Sequence, residues 1–203
     1  RFTYTQKAFE KILLNLGGHV ATSTMINAKA FKTADNEISG YFDTAGRVWG
    51  GVDKARVYFV VQFERPFETL NSWKGAQKQW NIEEMEGDSE LKSGSSFKQS
   101  LTSGVEVDMG EREAGDQVLL KASVSYVSIE NARENIMKEC KHWDFDGVKQ
   151  ASCDIWNEWF GKIDVNGGEY RQKIKFYTDL WHVLLGRHKV DDSNGQYPDY
   201  LIG

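Results

Sequence analysis

Three pairs of carboxylates are the first residues in this chain whose types and spacing could do chemistry. Asp144 with Asp146, Asp154 with Glu158, and Asp191 with Asp192 each bring two acids close together along the chain. Hydrolysis by general acid–base catalysis needs such a couple, one member protonated and the other ionised. Their contexts read otherwise. Asp144 precedes an apolar helical repeat and reads as its N-cap, with Asp146 in the first turn, where a negative charge suits the helix dipole. Asp154 and Glu158 stand four apart on the solvated side of the same helix. Asp191-Asp192-Ser193-Asn194-Gly195 has the composition of a calcium loop. Setting Gly195 at that loop's glycine puts Val190 first and Leu201 last, where acids are required, so the stretch reads as a polar turn.

Other chemistries find no pattern. His19, His142, His182 and His188 are isolated, without an HExxH helix or a Ser/His/Asp context. No glycine-rich phosphate loop follows a strand. Cys140 and Cys153 are the only cysteines, too few for a disulfide framework and without zinc-ligand spacing. They read as packed thiols on helices, and a bridge between them would need an oxidising compartment. Aromatic residues make up 13% of the chain, with 7 tryptophans. Trp49, Trp73 and Trp80 are the weak candidates for substrate binding, because a ring in a loop either stacks on a sugar or pins that loop to the core.

The totals bound the partners. A net charge of −5 and no basic cluster longer than two argue against nucleic acid. No apolar run approaches the roughly 18 residues of a membrane-spanning helix. The chain opens on Arg1 with no visible signal peptide, which reads as a processed or excised piece.

The elements that must position these residues fall into two blocks. Residues 1–127 read as β. Phe9 to Leu16 leans to strand. Val20–Phe31 and Glu37–Phe42 form a hairpin about a turn at Ala34-Asp35-Asn36. Arg56–Glu64 is the firmest strand, with Val57, Phe59, Val61 and Phe63 on one face and Tyr58, Val60 and Gln62 on the other. Two apolar faces predict a sheet covered on both sides. Asn71–Ser96 reads as loops and short strands. Val105–Met109 and Gln117–Val127 read as a hairpin about Glu111–Asp116, with Lys121, Ser123 and Ser125 on a solvated face. Residues 128–186 read as three helices. Ser128 and Asp144 cap the first two, and Gly161 ends the second. The third runs roughly from Glu169 to Leu185 and stops at Gly186. The aromatic faces of the second and third predict tight docking against something large.

An ordered set of short pieces carries a family resemblance. Ser125-Tyr-Val-Ser128, Glu130-Asn-Ala132, Trp143-Asp-Phe-Asp146, Trp156-Asn157, Phe176-Tyr-Thr178 with Leu180, and Asp192-x-x-Gly195-x-Tyr197 follow one order and spacing. Upstream, Ile38-Ser-Gly-Tyr41, Val57-Tyr-Phe-Val60 with Phe63, and Pro66-Phe67 extend it over nearly the whole chain. Together they resemble the bacterial α-1,2-mannosidases of glycoside hydrolase family 92. The chain departs from that pattern at Trp181, where the family has Tyr, and at Gly186-Arg187, where it has Pro.

The resemblance implies a mainly β fold with α: a large antiparallel β-sandwich, then linker helices and the first helix of an (α/α)6 barrel. It divides the chain into a sandwich over 1–127 lacking its first strands, a helical linker over 128–168 and the start of the barrel over 169–203. It implies an exo-acting, inverting, calcium-dependent hydrolase of mannose-containing glycans, in the periplasm or outside the cell. The catalytic acid and base and the calcium ligands would lie in a C-terminal barrel domain beyond Gly203, so none is carried onto this chain. The competing readings are a carbohydrate-binding module and a non-catalytic scaffold.

Overall fold

A computed structural model describes residues 1–17, 19–20, 23–45, 54–88, 103–186 and 190–198. It divides into two compact units, Arg1–Lys141 with Asp192–Gly203, and His142–Asp191.

The first unit is a β-sandwich. One sheet has four strands in the order β2 (Ala8–Asn15), β10 (Ser103–Arg112), β7 (Thr69–Lys74), β8 (Gln77–Gln79). The other runs β12 (Leu120–Ser125), β6 (Lys54–Phe63), β5 (Glu37–Ala45), β4 (Ser23–Ala34), β3 (His19–Val20), with β9 (Glu84–Asp88) also on β4. All these pairings are antiparallel. Alternation explains the core. Ile12, Val105, Val107 and Leu70 face inward from one sheet; Ala28, Ala30, Ile38, Phe59, Val61 and Phe63 face them from the other. The firmest expected strand is β6, and it is covered on both faces. Val60, pointing away from the sandwich core, is buried under Ala132 and Ile136 of helix α1 (Ile129–Glu139). The strand at Phe9–Leu16 and the hairpin of β4 and β5 also form where the sequence places them.

Two expectations give way. The strands either side of Glu111–Asp116 are not a hairpin. Both edges of β10 are already taken, by β2 and β7, so the chain crosses between sheets instead. It pauses as β11 (Gln117–Val118) against β1 (Phe2–Thr3), and β12 then joins β6. Nor is the Lys121–Ser123–Ser125 face solvated. In register Ser123 lies beside Val60, on the side that α1 covers, and Ser125 is buried, while Val124 on the other face stays exposed. The stretch Asn71–Ser96 is short strands as expected up to Asp88, but β7 is an internal strand of its sheet; residues 89–96 lie outside the described residues.

Helix α1 is held to the sheet by charge as well as by packing. Arg133 donates to Glu37 Oε1 at 2.7 Å from Nη2 and 3.1 Å from Nε, while Thr33 and Gln62 each donate to the same carboxylate at 2.8 Å. Burial alone would push the Glu37 carboxyl up. The donors from Arg133, Gln62 and Thr33 outweigh it and hold the group below the ordinary carboxylate range.

The chain after the helical unit returns to this helix. Asp192 is 8% exposed and accepts from Ser125 Oγ at 2.7 Å, Asn131 Nδ2 at 2.8 Å and Asn135 Nδ2 at 2.8 Å. Ser193 N donates to Asn135 Oδ1 at 2.8 Å, and Asn131 Nδ2 also reaches Gln196 Oε1 at 2.8 Å. The turn closes through Asp192 N to Gln196 O and Gly195 N to Asp192 O, with Gly195 at φ +83. The polar turn expected over Asp191–Gly195 is therefore present, and it is docked.

The second unit is a helical pair, α2 (Phe145–Phe160) and α3 (Tyr170–Leu185). Asp144 accepts from Gly147 N at 2.9 Å and caps α2 as expected; Gly161 follows its end. Glu169 and Gln172 form a capping box on α3. No residue of either helix is buried.

Two predictions follow from these contacts. Glu37→Gln lowers stability at pH 7 by about 2 kcal/mol, because it removes one member of a half-buried ion pair. A depressed carboxyl stabilises above its unfolded value and loses that contribution as pH falls through the folded value. The difference between variant and wild type therefore shrinks below about pH 4.5, the ordinary value, and urea unfolding across pH 3–7 measures it. Asp192→Ala takes one acceptor from each of two buried amides and from a buried hydroxyl and costs about 3 kcal/mol in the same assay, and Asp192→Asn costs less because one acceptor oxygen remains.

Candidate functional site

The outer face of the four-stranded sheet carries two of the three candidate tryptophans. Trp49 lies outside the described residues. Trp73, on β7, is opposite Gly104 of β10, and a Cβ there would sit 2.6 Å from its ring. The indole is laid on a glycine, so this half-buried ring pins the strand pair. It also lines a groove of about 380 Å³ with Ser72, Lys74, Gln77, Lys78, Gln79, Met85 and Glu86.

Trp80 is presented differently. It follows β8, is 61% exposed, and precedes Asn81, whose φ of +52 is the one left-handed value among the described non-glycine residues. Asn81 N donates to Asn71 Oδ1 at 2.9 Å, which fixes the turn. Lys11 Nζ stands 5.4 Å and Lys78 Nζ 5.6 Å from the indole centroid. Lys11 also donates to Glu106 Oε1 at 2.7 Å, and Asn71 Nδ2 reaches the same oxygen at 3.3 Å. The Lys11 ammonium, against the opposing effect of burial, holds the Glu106 carboxyl below its usual range. Alternation puts Lys11, Glu106, Asn71 and Trp73 on this one face, with Leu13 exposed beside Glu106.

The helical unit has an aromatic groove of about 750 Å³ between its two helices. Trp156 stacks on Phe160 with centroids 5.4 Å apart and meets Trp181 edge-on at 6.4 Å; Phe160 and Tyr177 are 5.9 Å apart. Tyr177 donates its hydroxyl to Ile163 O at 2.9 Å, bracing the link between helices. The side chain of Trp181, where the resembling family has Tyr, is 38% exposed at this groove.

The acidic pairs do not make an acid–base couple. Asp144 is a cap, and exposed Asp154 accepts from Gln150 at 2.8 Å. Asp192 is spent on the polar knot. Neither groove has two carboxylates in its lining. Among the described residues no group of three or more His, Cys, Asp or Glu is placed to hold a metal. Calcium finds no fitting donor set in Asp192 either, since neutral donors already occupy both of its oxygens. His188 lies outside the described residues, and His182 packs on Trp181. Cys140 is half-buried at the end of α1, whereas Cys153 is exposed on α2 and not packed as expected. Sequence reasoning missed the knot, although Ser125, Asn131 and Asp192 each belong to a quoted piece; nothing in a linear pattern says that separate pieces bond to one another.

Comparison with known proteins finds two family domains in succession along the chain. The profile described as the glycosyl hydrolase family 92 N-terminal domain matches residues 1–125, and that of the family 92 catalytic domain matches residues 131–202. No curated protein sequence matches the chain. Among solved structures, a family GH92 α-mannosidase from Bacteroides thetaiotaomicron is 24% identical with a TM-score of 0.70, over 97% of this chain and 24% of that one. The family GH92 inverting mannosidase BT2199 from the same organism is 17% identical with a TM-score of 0.71, over 94% of this chain and 24% of its own. The structure of a further family GH92 glycosyl hydrolase, ccman5, is 15% identical with a TM-score of 0.70, over 96% and 24%. This chain thus spans about a quarter of the length of the solved relatives, and with its sandwich and following helices it belongs to glycoside hydrolase family 92.

Proposed function

We propose that these residues are the N-terminal portion of an exo-acting, inverting α-mannosidase that removes terminal α-1,2-linked mannose from glycans. The observation that carries this reading is the ordered match of both family domains, the sandwich first and the opening of the catalytic domain after it. Inversion needs two carboxylates about 6.5–9.5 Å apart, one protonating the leaving oxygen and one activating a water. The family resemblance assigns that couple to the barrel of the catalytic domain, whose profile this chain matches over residues 131–202. The calcium dependence implied by the resemblance is assigned there too, and a periplasmic or extracellular location is inferred on the same ground.

The groove between α2 and α3 supports a structural role in that enzyme. Its rings are apolar and largely open, and burying one indole removes on the order of 200 Å² from water. At about 25 cal/mol per Å² such a surface stabilises a packed neighbour strongly. Its occupant is proposed to be further helices of the catalytic domain, the likeness to which begins at residue 131.

The reading is tested with a polypeptide extended through the whole catalytic domain. Proton NMR during hydrolysis of an α-1,2-mannobioside is expected to show β-mannose appearing first, with no turnover by residues 1–203 alone. Turnover by the short chain, or α-mannose as the first product, contradicts it.

A further inference from the structure

We propose that Trp80, with Lys11, Lys78 and Glu106, forms a non-catalytic contact site for a neutral hexose ring of a glycan, on the outer face of the four-stranded sheet. This site stands whether or not the extended protein hydrolyses mannosides, because it uses no acid–base couple.

The indole is where packing gives least reason for one. Trp73 on the same face is laid against Gly104, but Trp80 stays 61% exposed. Its presentation is fixed rather than loose. Asn81 is held in a left-handed conformation by its N–H to Asn71, a turn that most residues adopt only at a cost. A ring raised on a constrained turn loses little freedom on binding.

The groups around the ring match a pyranose. One face of such a sugar is a patch of C–H bonds that packs on an indole, while its rim carries hydroxyls that both donate and accept. Here the Lys11 and Lys78 ammonium groups stand over the ring, 5.4 Å and 5.6 Å from its centroid, as cation–π partners on flexible stems that a stacking sugar displaces towards its hydroxyl rim, and the Glu106 carboxylate lies beside Lys11 as an acceptor. Leu13 is exposed on the same face, in register with Glu106. The charges at the site offset one another: Lys11 pairs with Glu106 at 2.7 Å and also faces Asp108, and Lys78 acts on the same Glu106, so no net charge selects an ionic sugar.

The test is a titration of the 203-residue chain with α-linked mannobiose, read by the tryptophan indole N–H signals in nitrogen-15 NMR. A single stacked ring predicts saturable shifts of the Trp80 signal with a Kd on the order of 1 mM. Followed by calorimetry, because the reporting indole is absent from the Trp80 variants, Trp80→Ala is expected to weaken binding at least about tenfold and Lys78→Ala about threefold, while Trp159→Ala on α2 leaves it unchanged. Trp80→Phe, which keeps a ring, retains part of the affinity and serves if the alanine variant does not fold. No saturable shift at Trp80, unaltered binding in Trp80→Phe and Trp80→Ala, or binding confined to anionic sugars overturns the proposal. So does a change in sedimentation on Trp80→Ala, which would make the ring a protein contact.

Discussion

The buried carboxylate of Asp192 is the constraint on which the arrangement of this chain depends. A carboxyl group taken from water must be met by hydrogen-bond partners, and three neutral donors converge on it from the end of β12 and from α1. Because those donors sit far earlier in sequence, the carboxylate ties residue 192 back to a helix that ended at Glu139. The same helix is seated on β6 by Val60, Ala132 and Ile136 and pinned by Arg133 to Glu37. One short helix therefore carries an apolar contact, an ion pair and a polar knot on successive positions of its surface, and a change in its seat is felt by all three.

The helical pair obeys a different balance. Its caps are well made and its aromatic rings touch one another, yet no residue of either helix is buried. Local propensity and two-helix packing form it; the surface it keeps open is far more apolar than a finished protein face requires.

Much of this was legible in the residues. β6 announced itself by two apolar faces, and both are covered. Ser128, Asp144 and the two glycines after α2 and α3 mark helix ends because capping is a local matter. The failures share one cause, which is that partner choice is not local. Residues either side of Glu111–Asp116 carry every sign of a hairpin, but β2 and β7 occupy both edges of β10. Ser123 and Ser125 look solvated, yet α1 lies over that face and Asp192 reaches Ser125 from 67 residues away. Of the candidate rings, Trp73 and Trp80 have similar neighbours in sequence. Only the opposed Gly104 distinguishes the ring that pins from the ring that stands clear.

Native-state hydrogen exchange of the 203-residue chain tests the central claim most directly, that Asp192 is bonded into the sandwich unit through α1 while the helical pair rests on local contacts of its own. The account predicts that the Asp192 and Ser193 amides exchange with the protection of α1, while amides in the middle of α2 and α3 exchange faster by orders of magnitude. Equal protection of α2, α3 and the sandwich strands, or exchange at Asp192 and Ser193 as fast as in the helical pair, would contradict it.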